Sequence, residues 1–478
     1  MLDLLVDLVD RASGRCAYAE ARHVSSDDEH LLVRNGHVDR VDSQSGEGIG
    51  IRVRVGGAWG FAATHDTTMA GAERALEAAL AVARALPAAA DRALVGVEPA
   101  DGHWSGPCEI DPFELALEER LELLVDAEAG LHGDSRIVQS TAECILRRQT
   151  SAFASTDGAA CTQSRVESGG GIQAVAVEGD ELQVRSYPGA HGGSVGLGGW
   201  ERVLALDLAA NAARVREEVL ELLSAPPCPS GRTTLILGSE QLALQVHESI
   251  GHALELDRIL LGEASYAGTS WVSTADIGSL RYGSELLTVV ADATLDGALG
   301  SFGWDDEGVA ATRTTLIEQG TLRAALSDRQ SAAALGLGAS AGCARADGFA
   351  RQPIVRMTNV SIEPGAAGSL DDLIADTDDG VLLETNRSWS IDDRRLHFQF
   401  GTEVGHRIRD GHLAGLVRNP SYAGITPQFW RSMDAVCSEG AWQVHGLLNC
   451  GKGEPGQIMR VSHGTAPARF RDVEVGVA

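Results

Sequence analysis

Between Ser224 and Gly231 the chain reads Ser-Ala-Pro-Pro-Cys-Pro-Ser-Gly, three prolines and a glycine in eight residues. Proline has no N–H to give to a helix or a ladder, and glycine gains nothing from a regular backbone, so no helix or central strand can cross this stretch. It is the best domain boundary in the chain. With 478 residues and 44% hydrophobic content, each side has enough apolar material for a core of its own. The expected class is α+β: a mixed N-terminal domain of hairpins and packed helices over residues 1–225, then a β-rich domain over 226–478.

Local patterns fill in that outline. Residues 67–90 are Ala-rich with Leu76, Leu80 and Val82 recurring, and 113–131 carry Leu115, Leu117, Leu121, Leu123 and Leu124 among glutamates. Both predict helices, as does the stretch 203–224. Hairpins are predicted at Asn35-Gly36, at Gly56-Gly57 and at Glu178-Gly179-Asp180, each between runs of β-prone residues. The glycine-rich stretch Pro188–Trp200 lacks a Walker lysine and a GxGxxG order, so it reads as a flexible loop. Past the boundary, Leu286–Val290, Thr314–Glu318, Val404–Ile408 and their following turns read as sheet elements.

Charge and cysteine usage exclude several functions. The net charge of −28 would repel phosphate backbones, and no basic cluster stands out, so direct nucleic-acid binding is not expected. The start Met1-Leu-Asp-Leu-Leu-Val-Asp reads as an amphipathic helix rather than a signal peptide, and no segment is apolar enough to span a bilayer, so the cytoplasm is the expected location. The eight cysteines are scattered without CxxC pairs, which argues against a disulfide framework.

The chemistry concentrates in Val246-His-Glu-Ser-Ile-Gly-His252. Two imidazoles and an adjacent carboxylate are what a zinc hydrolase needs: nitrogen ligands, and a base for water. The spacing departs from H-E-x-x-H, whose histidines share a helix face. Five steps of about 100° put the second ring roughly 140° from the first. Both can reach one ion only if the helix widens locally, and π-bulges of that kind occur at functional sites; Gly251 is expected to ease the distortion. The alternative is an amphipathic helix that happens to carry two histidines. Thr233–Leu237 reads as a buried strand, Gly238-Ser239 as a turn and cap, and Leu242, Val246 and Ile250 as the buried helix face, so the motif sits on a rigid strand-to-helix unit. Two histidines leave zinc one protein ligand short, and a cysteine can supply it.

The run His247-Glu-Ser-Ile-Gly-His-Ala-Leu-Glu-Leu-Asp257 resembles the H-E-x-x-G-H-x-x-E-x-D signature of the TldD/PmbA family, and its catalytic TldD-like branch. Gly48–Val53 with Gly60-Phe-Ala62, Ala154–Gly158, Asp305–Gly308, Arg356–Asn359 with Pro364-Gly365, and Asn449–Gly453 with Gly456-Gln457 are similar to family segments in the same order. The resemblance implies a zinc metallopeptidase whose metal is held by His247, His252 and a C-terminal cysteine, which here is Cys450. Glu248 would be the general base, and Lys452 would favour the Cys450 thiolate by its charge. His445 is the rival ligand. Glu255 and Asp257 are candidates to orient ligand imidazoles, with solvated charges as the alternative. Asp305, Asp306 and Glu307 are either a second acidic cluster at the site or a turn with exposed carboxylates.

The substrates implied are small or unfolded peptides, including a modified peptide awaiting maturation, held in a cleft to which residues 1–225 contribute together with dimer contacts. A dimer is expected, either a homodimer or a heterodimer with an inactive PmbA-like partner. Two other readings remain open: an amidohydrolase acting on a small non-peptide amide, and a non-catalytic partner subunit, against which the intact His247, Glu248, His252 and Cys450 count. Residues 386–436, with Trp389, Asp392-Asp393 and Phe429-Trp430, are the least family-like and are expected to bear on substrate choice.

Overall fold

The computed structural model describes residues 1–87, 94–262 and 268–477. Four antiparallel strands of 17 to 19 residues, Tyr18–Arg34, His37–Val55, Ile137–Ser155 and Ala160–Glu178, form the backbone of the first sheet. Its path runs from Ala58–Thr64 through these four to Asp101–Ser105, and Glu181–Tyr187 and Ser194–Leu197 also pair with Ala160–Glu178. The tight turns explain the register. Asn35 and Gly36 have φ of 49° and 79°, Gly56 and Gly57 of 56° and 79°, the left-handed pair that a two-residue hairpin needs to match strand twist. All three predicted hairpins form.

Helices cover this sheet. Leu2–Ala12 and Met69–Ala85 bury Leu5, Leu8, Leu76 and Leu80 against Ile49, Ile51 and Val53. The second of these is the helix predicted over 67–90, opened by the Thr68 side chain, which accepts from the Gly71 N–H; positions 88–90 of that reading lie outside the described residues. Leu117–Ala129 and Leu208–Ser224 pack Leu124, Val215 and Val219 over Leu31, Leu146 and Ile172. The stretch 203–224 is two helices rather than one, because Asp207, at φ 47°, breaks Trp200–Ala205 from Leu208–Ser224. The strand expected at Leu286–Val290 starts later, at Val289–Asp292, since the Ser284 hydroxyl accepts from the Leu286 N–H and holds that end as a turn.

The glycine-rich stretch is also more ordered than a loop reading allows. Ser194–Leu197 is a strand paired with Glu167–Gly170. A side chain at Gly169 would put its Cβ 2.0 Å from the Ser194 carbonyl oxygen, so the glycines mark close backbone approach.

From Gly231 onward the chain is β-rich. Gly231–Leu237 pairs in parallel with Asp379–Ile391 and antiparallel with Ala468–Val477. Ala468–Val477 continues to Pro420–Ile425, then to His397–Arg409, which pairs back on Asp379–Ile391. Five strands thus close a barrel, which leaves no free edge along that path. A four-stranded sheet and the two-stranded hairpin Gln443–Lys452/Gln457–Thr465 pack beside it. The helix Ser239–Val246 leaves the barrel strand Gly231–Leu237 through Gly238 and buries Leu242, Val246 and Ile250 in the main core. No helix among the described residues is long and apolar enough to cross a membrane.

Gly60 shows how tightly the first sheet and its helix meet. A Cβ there would lie 2.0 Å from the Ala79 carbonyl oxygen and 2.7 Å from the Ala83 nitrogen. Gly60→Ala is expected to destabilise the protein by about 1–3 kcal/mol, the usual range for overpacking. Gly46→Ala, where a Cβ meets nothing within 4 Å, should stay within about 0.5 kcal/mol of wild type. Urea denaturation of both variants checks the contrast.

Candidate metal centre

The helix changes pitch at the motif. Ser239–Val246 is α-helical, His247–Gly251 is a single π turn, and His252–Leu254 is a 3₁₀ turn. The His252 N–H donates to the His247 carbonyl, the i to i+5 bond that defines the wider turn. The two rings consequently face one another, centroids 4.6 Å apart and nearly perpendicular. Gly251 has a different role from the one its flexibility suggested. Its φ of −54° and ψ of −62° suit any residue. Instead, a Cβ there would sit 2.1 Å from the Met357 sulfur, so glycine lets the π turn lie against Met357.

Cys450 arrives on the strand Gln443–Lys452. Its Sγ lies 3.6 Å from His252 Nε2, and the donor atoms of His247, His252 and Cys450 all fall within 4.8 Å of one another. Nitrogen and sulfur donors about 2.05 Å and 2.3 Å from a tetrahedral zinc stand about 3.6 Å apart. The His252–Cys450 pair is therefore spaced for such an ion, and His247 stands close enough to join it. Burial alone would raise the thiol, but the Arg356 guanidinium and His252 outweigh it and hold Cys450 down at about 7. The other seven cysteines are all pushed up by burial. The charge favouring the thiolate is thus Arg356, which also donates to the Cys450 carbonyl. Lys452 points elsewhere, its ammonium bonding Asp257 at 2.8 Å and the Val355 carbonyl.

Hydrogen bonds fix which ring nitrogens are free. His463 Nδ1 lies 2.7 Å from the Val360 carbonyl, which can only accept, so Nδ1 carries the proton. Burial and the neighbouring His247 keep His463 well below the usual imidazole range, so the ring is neutral and its Nε2 accepts. The partner at 2.8 Å is His247 Nδ1, which must donate. His247 Nε2 is left as a lone pair, the form a metal requires. Likewise His252 Nδ1 meets Glu255 Oε2 at 3.1 Å, leaving its Nε2 free beside Cys450. Desolvation holds His247 down at about 4 and also lowers His252, which favours neutral rings.

Glu248 accepts from Arg395 at 2.6 Å. Arg395 stands at φ 62° in the turn between Asp379–Ile391 and His397–Arg409, a strained conformation held by the Leu396 N–H on Asp392 and the Thr426 hydroxyl on the Arg395 carbonyl. Both side chains face a cavity of about 660 Å³, together with His247, His252, Cys450, Trp389 and the strand from Gln443 to Gly451. Pro188–His191 and Leu206 close it from the N-terminal half.

Comparison with known proteins identifies the family. A model of the PmbA/TldA metallopeptidase C-terminal domain matches residues 230–477, and models of that family's domain 1 and central domain match 19–83 and 110–223. The chain belongs to the PmbA/TldD metallopeptidase family. A metalloprotease of Methanothermobacter thermautotrophicus is 31% identical over 482 residues, spanning 99% of this chain and 97% of its own. A zinc metalloprotease TldD homolog of Saccharolobus solfataricus is 26% identical over 265 residues, 55% of this chain and 56% of its own. The crystal structure of TldE from Thermococcus kodakarensis has the same fold, with a TM-score of 0.75 at 17% identity, covering 99% of this chain and 100% of that one.

Within this PmbA/TldD framework, the remaining candidates sort as follows. His445 lines the cavity, but its Nε2 bonds Ser239 Oγ at 3.0 Å, away from the three donors. Glu255 orients His252, whereas Asp257 pairs with Lys452. Asp305 and Glu307 are neither at the metal centre nor exposed. Asp305 is buried, accepting from the Glu307, Val309 and Ala344 N–H groups. Glu307 is buried against Arg52 at 2.7 Å and the Arg329 N–H. Asp306 is half-buried and takes the Ala346 N–H at 2.7 Å. Arg356 lies in a family-like segment that gave no hint of its part at Cys450, and His463 and Arg395 carry no motif; only the fold brings the three to the site.

Two outcomes are expected. His463→Ala should weaken zinc binding about 10- to 100-fold, measured by competition with a chromophoric chelator. Gly251→Ala should lower zinc occupancy and stability together, and adding Met357→Ala should restore both in part, read by metal analysis and thermal unfolding.

Proposed function

We propose that this chain is a zinc peptidase that hydrolyses peptide bonds of small or unfolded peptides. The observation that carries the reading is the convergence of two Nε2 lone pairs and the Cys450 sulfur at the wall of a large cavity, with Glu248 beside them. Two imidazoles and one thiolate suit zinc and leave a coordination position open. The zinc metalloprotease name of the Saccharolobus solfataricus relative supports the same ion. When bound, zinc supplies Lewis acidity that polarises the scissile carbonyl and makes water acidic near neutral pH.

The protein's own groups do the rest. Glu248 takes the proton of the attacking water and passes it to the leaving amine. Arg395 holds one carboxylate oxygen of Glu248 at the cavity wall. His463 and Glu255 keep the ligand rings in the donor tautomer. The strand Gln443–Lys452 lines the cavity over nearly its whole length and pairs only with Gln457–Thr465 among the described residues. An extended peptide can add to such a strand through main-chain hydrogen bonds, which recognises a backbone rather than a sequence.

Metal analysis and peptide hydrolysis on the same preparations test this reading. Glu248→Gln should keep its zinc and lose at least about a hundredfold in turnover. Cys450→Ala should lose zinc on gel filtration. Undiminished hydrolysis by Glu248→Gln would remove it as the base, and full zinc in Cys450→Ala would remove the thiolate from the ligand set.

A further inference from the structure

The cavity holds a carboxylate that the chemistry at the metal does not use. Glu240 lines it, in the first turn of the helix that ends in the π turn. Seven residues separate Glu240 from His247, which is two helical turns, so both project from one face about 10 Å apart along the axis. The Glu240 carboxylate accepts from the N–H groups of Asn386, at 3.2 Å, and Ala190. These partners are neutral and leave its charge uncompensated.

The surrounding charges add to that excess. Glu403 is buried behind it and takes both the N–H and the hydroxyl of Ser186 at 2.7 Å. A cation whose charge reaches Glu240, Arg185, is already committed to Glu218 at 2.6 Å and to Thr385 at 2.9 Å, and shared with Glu403 at 3.7 Å. Burial and Glu403 push the Glu240 carboxyl up to about 7, although a position in a helix's first turn ordinarily favours the anion. Trp389, 40% exposed, lines the same cavity and offers a ring of the kind that attracts cations.

We propose that Glu240 determines specificity by receiving a primary ammonium group of the substrate, about three residues from the peptide bond that is cut. The distance follows from the helix: about 10 Å spans three residues of extended chain at about 3.3 Å each. This rests on the peptidase reading and names the substrate chemistry that its cavity selects. The ammonium has two sources, the amino terminus of a peptide or a lysine side chain, and one experiment separates them.

Zinc-loaded wild type and Glu240→Gln are given four heptapeptides of one sequence, with a free or acetylated amino terminus crossed with lysine or norleucine at the third residue. Wild type should favour the cationic member of one pair by at least tenfold in kcat/KM, and the pair that responds names the source. Glu240→Gln should bring that ratio close to one, and Glu240→Asp should keep part of it. An equal ratio in wild type and Glu240→Gln, or no preference in wild type, overturns the proposal. Calorimetric binding of the same peptides to Glu248→Gln and to Glu240→Gln/Glu248→Gln separates the two readings. A Glu240-dependent preference in binding, with no peptide cut by wild type, keeps the subsite and removes the peptidase. Cleavage with no Glu240-dependent preference does the reverse.

Discussion

The metal centre depends on the fully buried carboxylate of Glu255. Three cationic or donor groups converge on it: Arg258 Nε at 2.5 Å, His252 Nδ1 at 3.1 Å and Lys452 Nζ at 3.5 Å. Burial would raise this carboxyl, yet Lys452 and Arg258 outweigh burial and hold it well below the ordinary glutamate range. Through His252 the cluster reaches the widened helix, and through Lys452 it reaches the strand that carries Cys450. Helix and strand, about two hundred residues apart in the chain, are registered by one set of charges. Buried ion pairs of this type add little net stability, because desolving each partner costs about as much as the attraction returns. Their effect is on geometry, since any shift of helix against strand would leave a charge buried and unpaired.

That division explains what the sequence could and could not reveal about the site. The need for a wider turn between His247 and His252 is local arithmetic, and the π turn is where that arithmetic places it. The reason for Gly251 is not local, because the atom it avoids belongs to Met357. For the same reason Lys452 was a plausible partner for Cys450 on the chain, two residues away, while the fold gives that place to Arg356 and turns Lys452 toward Asp257. His463 had no spacing to announce it. Its role exists only because Gln457–Thr465 runs beside the helix and the Val360 carbonyl fixes its proton.

The fold divides along the same line. Asn35-Gly36 and Gly56-Gly57 dictate their hairpins, since two consecutive left-handed residues leave the chain little else to do. Closure of the barrel rests on the parallel pairing of Gly231–Leu237 with Asp379–Ile391, strands that no turn connects and whose apolar runs resemble any buried strand. The glycines of Pro188–Trp200 resemble a loop in sequence. Ser194–Leu197 is nevertheless a strand, because Gly169 and Gly171 on the neighbouring strand lack side chains and let the backbone of Gly193–Val195 approach.

A rigid helix gives the cavity its scale. The base and two of the three metal donors stand at its widened end, Glu240 stands at its start, and the same helix face carries Glu240 and His247. Its opposite face is locked in the core through Leu242, Val246 and Ile250, and its end is locked by Glu255. The distance from the His247 donor to Glu240 therefore cannot drift with loop motion, whereas Pro188–His191 and the Arg395 turn contribute wall on irregular backbone. Groups that must keep a fixed separation thus sit on one regular element, where geometry is held best.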